Sequence, residues 1–415
     1  MSTDSPRPSR SLPEKPDLRH LKDQAKDLVR AGSVPSLAKA HLQLAREFGF
    51  VSWPKLKAHV ESLLEIGQLK SAIDTNDLVR VQELMTRNPA LHTAPMGYGN
   101  NGPLTWVAEC RVPRVAPDDT RLAMARWMIQ NGSDVHQGGD GPLMRAALDD
   151  MRLPMLNLLI EHGADVNARW DGRYPIIFAP CETLQPRTLQ HLIEQGADIH
   201  AVSSDYSNCV SMLIGTYSRE AAGRHACLEV FAEAGYPFPD AAPMAVHRGR
   251  LDLLAALIDR DPSLLQQRFR ETAIYPPEFG GPGLHLAPLA GGTLLHIAIE
   301  YEDEQTARWL IERGADVNAR STIDADGFGG ITPLFHTTVT LGNQNDVLAR
   351  LLLQNRADPN LRATFRKQLV DMGDPVKEQL REYRNVTPIG YARQFPELRW
   401  VNAAAINAAI EFGGE

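Results

Sequence analysis

A chain of 415 residues, 43% hydrophobic and 23% charged, has ample apolar material for a large core and an ordinary share of surface charge. Its net charge is −8, with acidic and basic residues interleaved. That argues against general binding to nucleic acid or anionic membranes, which needs a basic stripe. No apolar run approaches membrane-spanning length, and residues 1–16 lack the apolar core of a signal peptide. Cys110, Cys181, Cys209 and Cys227 are widely spaced without a C-x-x-C, which suits buried thiols in a cytoplasmic protein better than disulfides or zinc.

Residues 1–16 are rich in Pro and Ser and are expected to be a disordered tail. Residues 17–66 predict three short helices. Leu18, Leu21, Ala25, Leu28 and Val29 form one apolar stripe, and Leu37, Ala38, Leu42, Ala45 and Phe48 a second. Ser52 is the expected N-cap of the third, with Pro54 in its first turn. Phe50 and Trp53 are expected to be packing anchors.

From residue 67 onward the pattern repeats as pairs of short helices. Units are expected at 68–94, 102–138, 141–169, 172–202, 207–240, 241–269, 292–320, 331–361 and 387–414. The helix-ending glycines Gly132, Gly163 and Gly196 lie 31 and 33 residues apart. Gly235 and Gly314 take the same position, whereas Arg356 replaces the glycine in the eighth unit and must adopt the turn at some cost.

The most regular unit is GTLLHIAIEYEDEQTARWLIERGADVNAR, residues 292–320. Thr293 can cap its first helix, and Leu295, Ala298 and Ile299 share one face. Ala307, Leu310 and Ile311 line the second helix, and Asp316 and Asn318 are turn residues that bond nearby backbone. Its opening resembles the ankyrin signature T-P-L-H-x-A, and the spacing above matches the ankyrin period of about 33. Thr332-Pro333-Leu334 and Thr387-Pro388-Ile389 resemble the same start. The segment AREFGFVSWPKLKAHVE within residues 17–66 resembles a helical module that precedes ankyrin arrays in bacterial proteins. The resemblance implies an all-α ankyrin-repeat solenoid of about nine units over residues 67–415, capped by that module. One such unit has a single apolar face and must stack on neighbours. The resemblance also gives His296 a structural role, bonding backbone between repeats.

Three insertions, 270–291, 321–330 and 362–386, interrupt the period at hairpin ends, where repeat proteins often carry their binding face. They supply the candidate binding residues Asp324, Asp326, Phe328, Arg366 and Arg381, with Tyr275 and Phe279 as aromatic candidates, and His336 follows six residues after the second insertion, inside the first helix of the eighth unit. The arginines suit an anionic or peptide group. Alternatively, Asp324 and Asp326 pair with Arg366 or Arg381 and pin neighbouring insertions together. Asp324-Ala325-Asp326-Gly327 lacks the glutamate that closes a calcium loop. No catalytic motif, metal site or cofactor is expected, and a cysteine near His225 or His247 reads as core. His136 and His200 stand where the hairpin tip has Asn and are expected to be exposed. The leading function is therefore non-catalytic binding of a protein partner by a monomer, with neither nucleic acid nor membrane as target. The alternative is an enzyme or small-ligand receptor whose polar pocket is walled by the insertions.

Overall fold

The computed structural model describes all residues except 1–7, 14–15, 97–100, 112–113, 204–206, 276–286 and 368–379, so Phe279 lies outside the described residues. The chain forms two compact units, Met1–Ala146 with Pro154–Ala164, and Ala147–Leu153 with Asp165–Glu415. No helix among the described residues is long and apolar enough to cross a membrane.

The first unit opens with α1 (Leu18–Arg30), α2 (Leu37–Glu47) and α3 (Trp53–Asp74). Asp17 and Ser36 cap α1 and α2 by accepting the amides of Arg19 and Lys39. Ser52 does not act as expected: it sits at the N-cap in an extended conformation, but its side chain makes no capping bond. Pro54 in the first turn removes one of the donors that would otherwise need a partner. Leu21, Ala45, Phe48, Leu56 and Val60 form the core here, with Phe50 and Trp53 packed against it. Trp53 stacks on His41 at 4.0 Å. Helix α3 runs without a break through position 66 and carries Leu69, Ala72 and Ile73 into the first helix pair, with α4 (Leu78–Arg87) as its partner. Asp77 caps α4. Then follow α5 (Pro103–Glu109), α6 (Asp119–Gln130), α7 (Gln137–Ala146, interrupted by positive φ at Gly138, Gly139 and Asp140) and α8 (Leu153–Glu161).

The second unit alternates helix pairs with short antiparallel hairpins. In chain order its elements are β1 (Arg169–Trp170), β2 (Tyr174–Pro175), α9 (Phe178–Thr183), α10 (Pro186–Glu194), β3 (Val202–Ser203), β4 (Ser207–Asn208), α11 (Cys209–Gly215), α12 (Ala221–Glu233), α13 (Ala242–His247) and α14 (Leu251–Arg260). They continue with α15 (Glu271–Ile274), α16 (Leu294–Glu300), α17 (Glu304–Glu312), α18 (Phe335–Thr338) and α19 (Val347–Gln354). The last are β5 (Ala363–Lys367), β6 (Arg381–Val386), α20 (Pro388–Gln394) and α21 (Ala403–Glu411). The insertion at 362–386 thus builds a two-stranded ribbon that the all-helical expectation did not include. Its inward positions Ala363, Phe365, Tyr383 and Val386 join a core with Phe335, Tyr391 and Phe395. Outward positions pair across the strands, with Arg366 opposite Glu382. The period-two alternation of burial is the signature of a strand with one face covered.

The expected turn chemistry holds. Gly132, Gly163, Gly196, Gly235 and Gly314 all have positive φ, and Arg356 takes the same conformation at φ 71. The hairpin asparagines do more than bond their own turn. The first turn residue, Asp165, Asp316 or Asp358, accepts the amide of Asn167, Asn318 or Asn360. The asparagine side chain then reaches the following unit. Asn318 donates to the carbonyl of Arg356 at 3.0 Å and accepts the amide of Asp358 at 2.8 Å. Asn167 does the same with Gly196 and Asp198, and Asn360 with Gly413 and Glu415. Each carbonyl belongs to the left-handed residue that ends a helix, a group with no partner inside its own helix. His200 occupies the Asn position, is exposed, and stacks on Tyr236 instead.

His296 closes the first turn of α16. Its Nδ1 accepts the Thr293 amide at 3.1 Å, so its Nε2 carries the hydrogen and donates to the Ile331 carbonyl at 2.9 Å. Burial, helped by the charge of His336, depresses the imidazole to about 3. The structural role implied for His296 matches this geometry.

Two outcomes follow. Asn318→Ala should cost about 1–2 kcal/mol in urea denaturation, since two bonds that each contribute about 1 kcal/mol vanish. Asn318→Asp, which keeps the acceptor, should cost about half as much. No change for the alanine variant would show that the relay carries no stability. For His296 the unfolded chain protonates first, near 6.5, as pH falls. Its neutral form therefore stabilises fully above that value and progressively less toward pH 3. Wild type should lose about 1–2 kcal/mol more between pH 7 and pH 5 than His296→Gln does. Parallel loss in both proteins would refute the assignment.

Candidate functional site

Two groups of polar residues in the second unit are candidates, one buried and one open. The buried group gathers at the ends of α11, α13 and α16. Glu300 ends α16, and its carboxylate accepts from His336 Nδ1 at 2.7 Å, while its other oxygen lies 3.8 Å from the Arg219 guanidinium. Arg219 also donates to the carbonyls of Thr216 and Ser218. Arg224, 1% exposed, donates to the carbonyls of His247 and Tyr301, and both arginines lie over the Tyr301 ring, at 5.0 and 4.6 Å. Burial lowers the Arg224 guanidinium to about 10. The Tyr301 hydroxyl donates to the Ile214 carbonyl at 2.7 Å and lies 3.4 Å from the Tyr275 hydroxyl. Burial pushes Tyr301 up to about 12. Lys367 on β5 is lowered to about 8 by burial, against the opposing pull of Glu300 and Glu271.

The Glu300–His336 pair has the geometry in which a carboxylate orients an imidazole for base catalysis. Here, however, the His336 side chain is fully buried and its Nε2 has no hydrogen-bond partner among the described residues. No nucleophile is shown bonded to it. The pair therefore holds α16 against α18. Among the described residues no group of three His, Cys, Asp or Glu side chains is placed to hold a metal ion. All four cysteines are buried and none forms a disulfide, and burial pushes the Cys181 and Cys227 thiols up.

The open group lies where the insertions meet. The arm before α16 is tied to itself by Phe269 and Gly292, and Gly291 accepts the Thr322 amide at 2.9 Å. Ser321 donates to Ile331, and Gly329 pairs with Thr364 on β5. Gly329 has φ 139, and a Cβ there would lie 2.0 Å from the Thr322 carbonyl oxygen, so only glycine lets these arms close. Between them is a cleft of about 530 Å³. Phe269, Phe328 and Phe365 contribute apolar wall, and Arg268, Arg270 and Arg366 the cationic part.

A second ladder of side chains joins the arms. Arg268 Nε donates to the Arg320 carbonyl at 2.6 Å, Arg320 to the Arg362 carbonyl at 2.7 Å, and Arg362 to the Asn385 carbonyl at 2.9 Å. Arg169 likewise reaches the Val202 carbonyl. Gln266 donates to the Gly314 carbonyl, so each arginine follows by two residues a side chain that makes the amide relay. The signal was present in the chain as Asn167-x-Arg169, Gln266-x-Arg268, Asn318-x-Arg320 and Asn360-x-Arg362. Its meaning lies in contacts between successive hairpins, which the spacing alone does not show.

The sequence-derived candidates separate between the two groups. Asp324, Phe328 and Arg366 line the cleft. Asp324 spends its carboxylate on the amides of Asp326 and Phe328 and shows no pairing with Arg366 or Arg381. Asp326 lies 3.6 Å from Arg366, which also meets Glu382 at 3.2 Å and lies 3.6 Å over the Phe328 ring. Arg381 begins β6 with its Nε buried and without a hydrogen-bond partner among the described residues. His336 and Tyr275 belong to the buried group, 1% and 3% exposed, and so do not face a partner. A turn sequence tells which residues are near in the chain, but not that His336 faces Glu300 on the preceding unit.

The ankyrin repeat family model matches residues 138–171 and 290–322. A comparison with curated proteins finds no match. The chain therefore carries ankyrin repeats at two places, and repeats of this kind generally mediate protein–protein interaction. The second match takes in α16, α17 and the turn that supplies one wall of the cleft.

Glu300→Gln should lower stability by about 2–4 kcal/mol, because it leaves Arg219 and His336 without their buried carboxylate. Urea denaturation checks this, and a change below about 0.5 kcal/mol would show the cluster to be incidental.

Proposed function

We propose that the protein binds a protein partner without catalysis, and that the cleft between the insertions 270–291, 321–330 and 362–386 is the contact site. On this reading residues 67–415 are a run of ankyrin-type units, and the helices of residues 17–66 cap its first pair. The observation that carries it is the convergence: three interruptions of a regular period, separated in sequence by whole helix pairs, contribute to one cleft.

The cleft is open at its rim. Arg268, Arg270, Glu271, Asp324 and Arg366 are all exposed. That favours a segment of polypeptide over an enclosed substrate. A preformed site tied by backbone and arginine ladders loses little ordering entropy on binding, which favours affinity.

Ala290→Trp tests the site. Ala290 is exposed on the cleft wall, so an indole there fills the cleft without disturbing the core. Affinity purification from the native cell with mass spectrometry should recover a partner with wild type and with Gln305→Trp on α17, and lose it with Ala290→Trp. The same partners recovered by all three proteins would remove the cleft from the interface.

A further inference from the structure

The charge of the cleft is not balanced. Arg366 is offset by Asp326 and Glu382. The Asp324 carboxylate accepts two amides of its own turn, both through one oxygen, and keeps its charge on the cleft. Glu271 lies close enough to Lys367 to help hold that amine charged. Among the described lining residues three guanidinium groups, those of Arg268, Arg270 and Arg366, therefore face two carboxylates, Asp324 and Glu271. Arg268 uses its Nε on a neutral carbonyl and pairs with no carboxylate among the described residues. Arg270 has no side-chain hydrogen bond or ion pair among the described residues, and both side chains are exposed on the cleft. In a chain whose net charge is −8, this is a local excess of positive charge.

We propose that the occupant is an acidic segment of the partner protein, with carboxylates on Arg268 and Arg270. The proposal rests on the cleft being the contact site. Guanidinium groups present paired N–H donors that match a carboxylate in two places at once. The carbonyl bond from Arg268 to Arg320 fixes one guanidinium in place, so less side-chain freedom is lost when an anion arrives.

The test is panning of a random twelve-residue peptide library against the full-length protein. Peptides enriched on wild type should carry an excess of Asp and Glu, and should be lost on Ala290→Trp. Their Kd should rise about tenfold in Arg268→Gln/Arg270→Gln and more in Arg270→Glu, and should weaken from about 0.05 to about 0.5 M salt. Arg270→Glu keeps the test independent of folding, since that side chain supports no bond among the described residues. Circular dichroism and the melting curve should match wild type. Peptides that need the open cleft but are neutral or basic, or that bind both arginine variants unchanged, would overturn the acidic assignment while leaving the contact site standing. Peptides indifferent to Ala290→Trp would overturn both.

Discussion

The turn that ends one helix pair is completed by a side chain from the pair before it. A helix leaves its last carbonyls without partners, and the left-handed residue that follows turns one of them outward. In the second unit that carbonyl is taken by Asn167, Gln266, Asn318 or Asn360. Two residues later an arginine repeats the act on the next arm. Successive hairpin ends are thereby held in register. An insertion at one hairpin end must then lie beside an insertion at the next, which is why segments far apart in sequence wall one cleft.

The interior and the rim divide the work. Inside, Glu300, His336, Arg219, Arg224 and Tyr301 bond or pair with one another and with nearby carbonyls where α11, α13 and α16 end. Buried ions of this kind contribute little net stability when paired and are costly when one partner is lost. They fix which helices meet. At the rim, by contrast, arginines outnumber the carboxylates free to meet them, and the surplus faces solvent. The same residue type is structural where it reaches a carbonyl and available for recognition where it does not.

Much of the fold was legible in the residues. The spacing of Leu295, Ala298 and Ile299, the helix-ending glycines and the Thr293–His296 start all specify local structure, and local structure is what periodicity reports. Arg356 was readable as a strained substitute for glycine, and it takes the left-handed turn. The site was only partly legible. Its three segments stood out as interruptions, and Asp324, Phe328 and Arg366 are found on the cleft. His336 and Tyr275 went astray because their partners, Glu300 and Tyr301, lie 36 and 26 residues away and across a helix pair. Arg268 and Arg270 were passed over because a basic residue at the edge of a loop has no local signature. Only the folded arms reveal that no carboxylate among the described residues pairs with them.

The central claim, that the insertion cleft is where a partner sits, is tested most directly by amide hydrogen exchange on the full-length protein with and without the captured partner. The account predicts slowed exchange at residues 268–271, 288–291 and 321–329, with α17 unchanged. Slowing confined to α17 (Glu304–Glu312) or to the first unit, with the cleft segments exchanging as in the free protein, would contradict it.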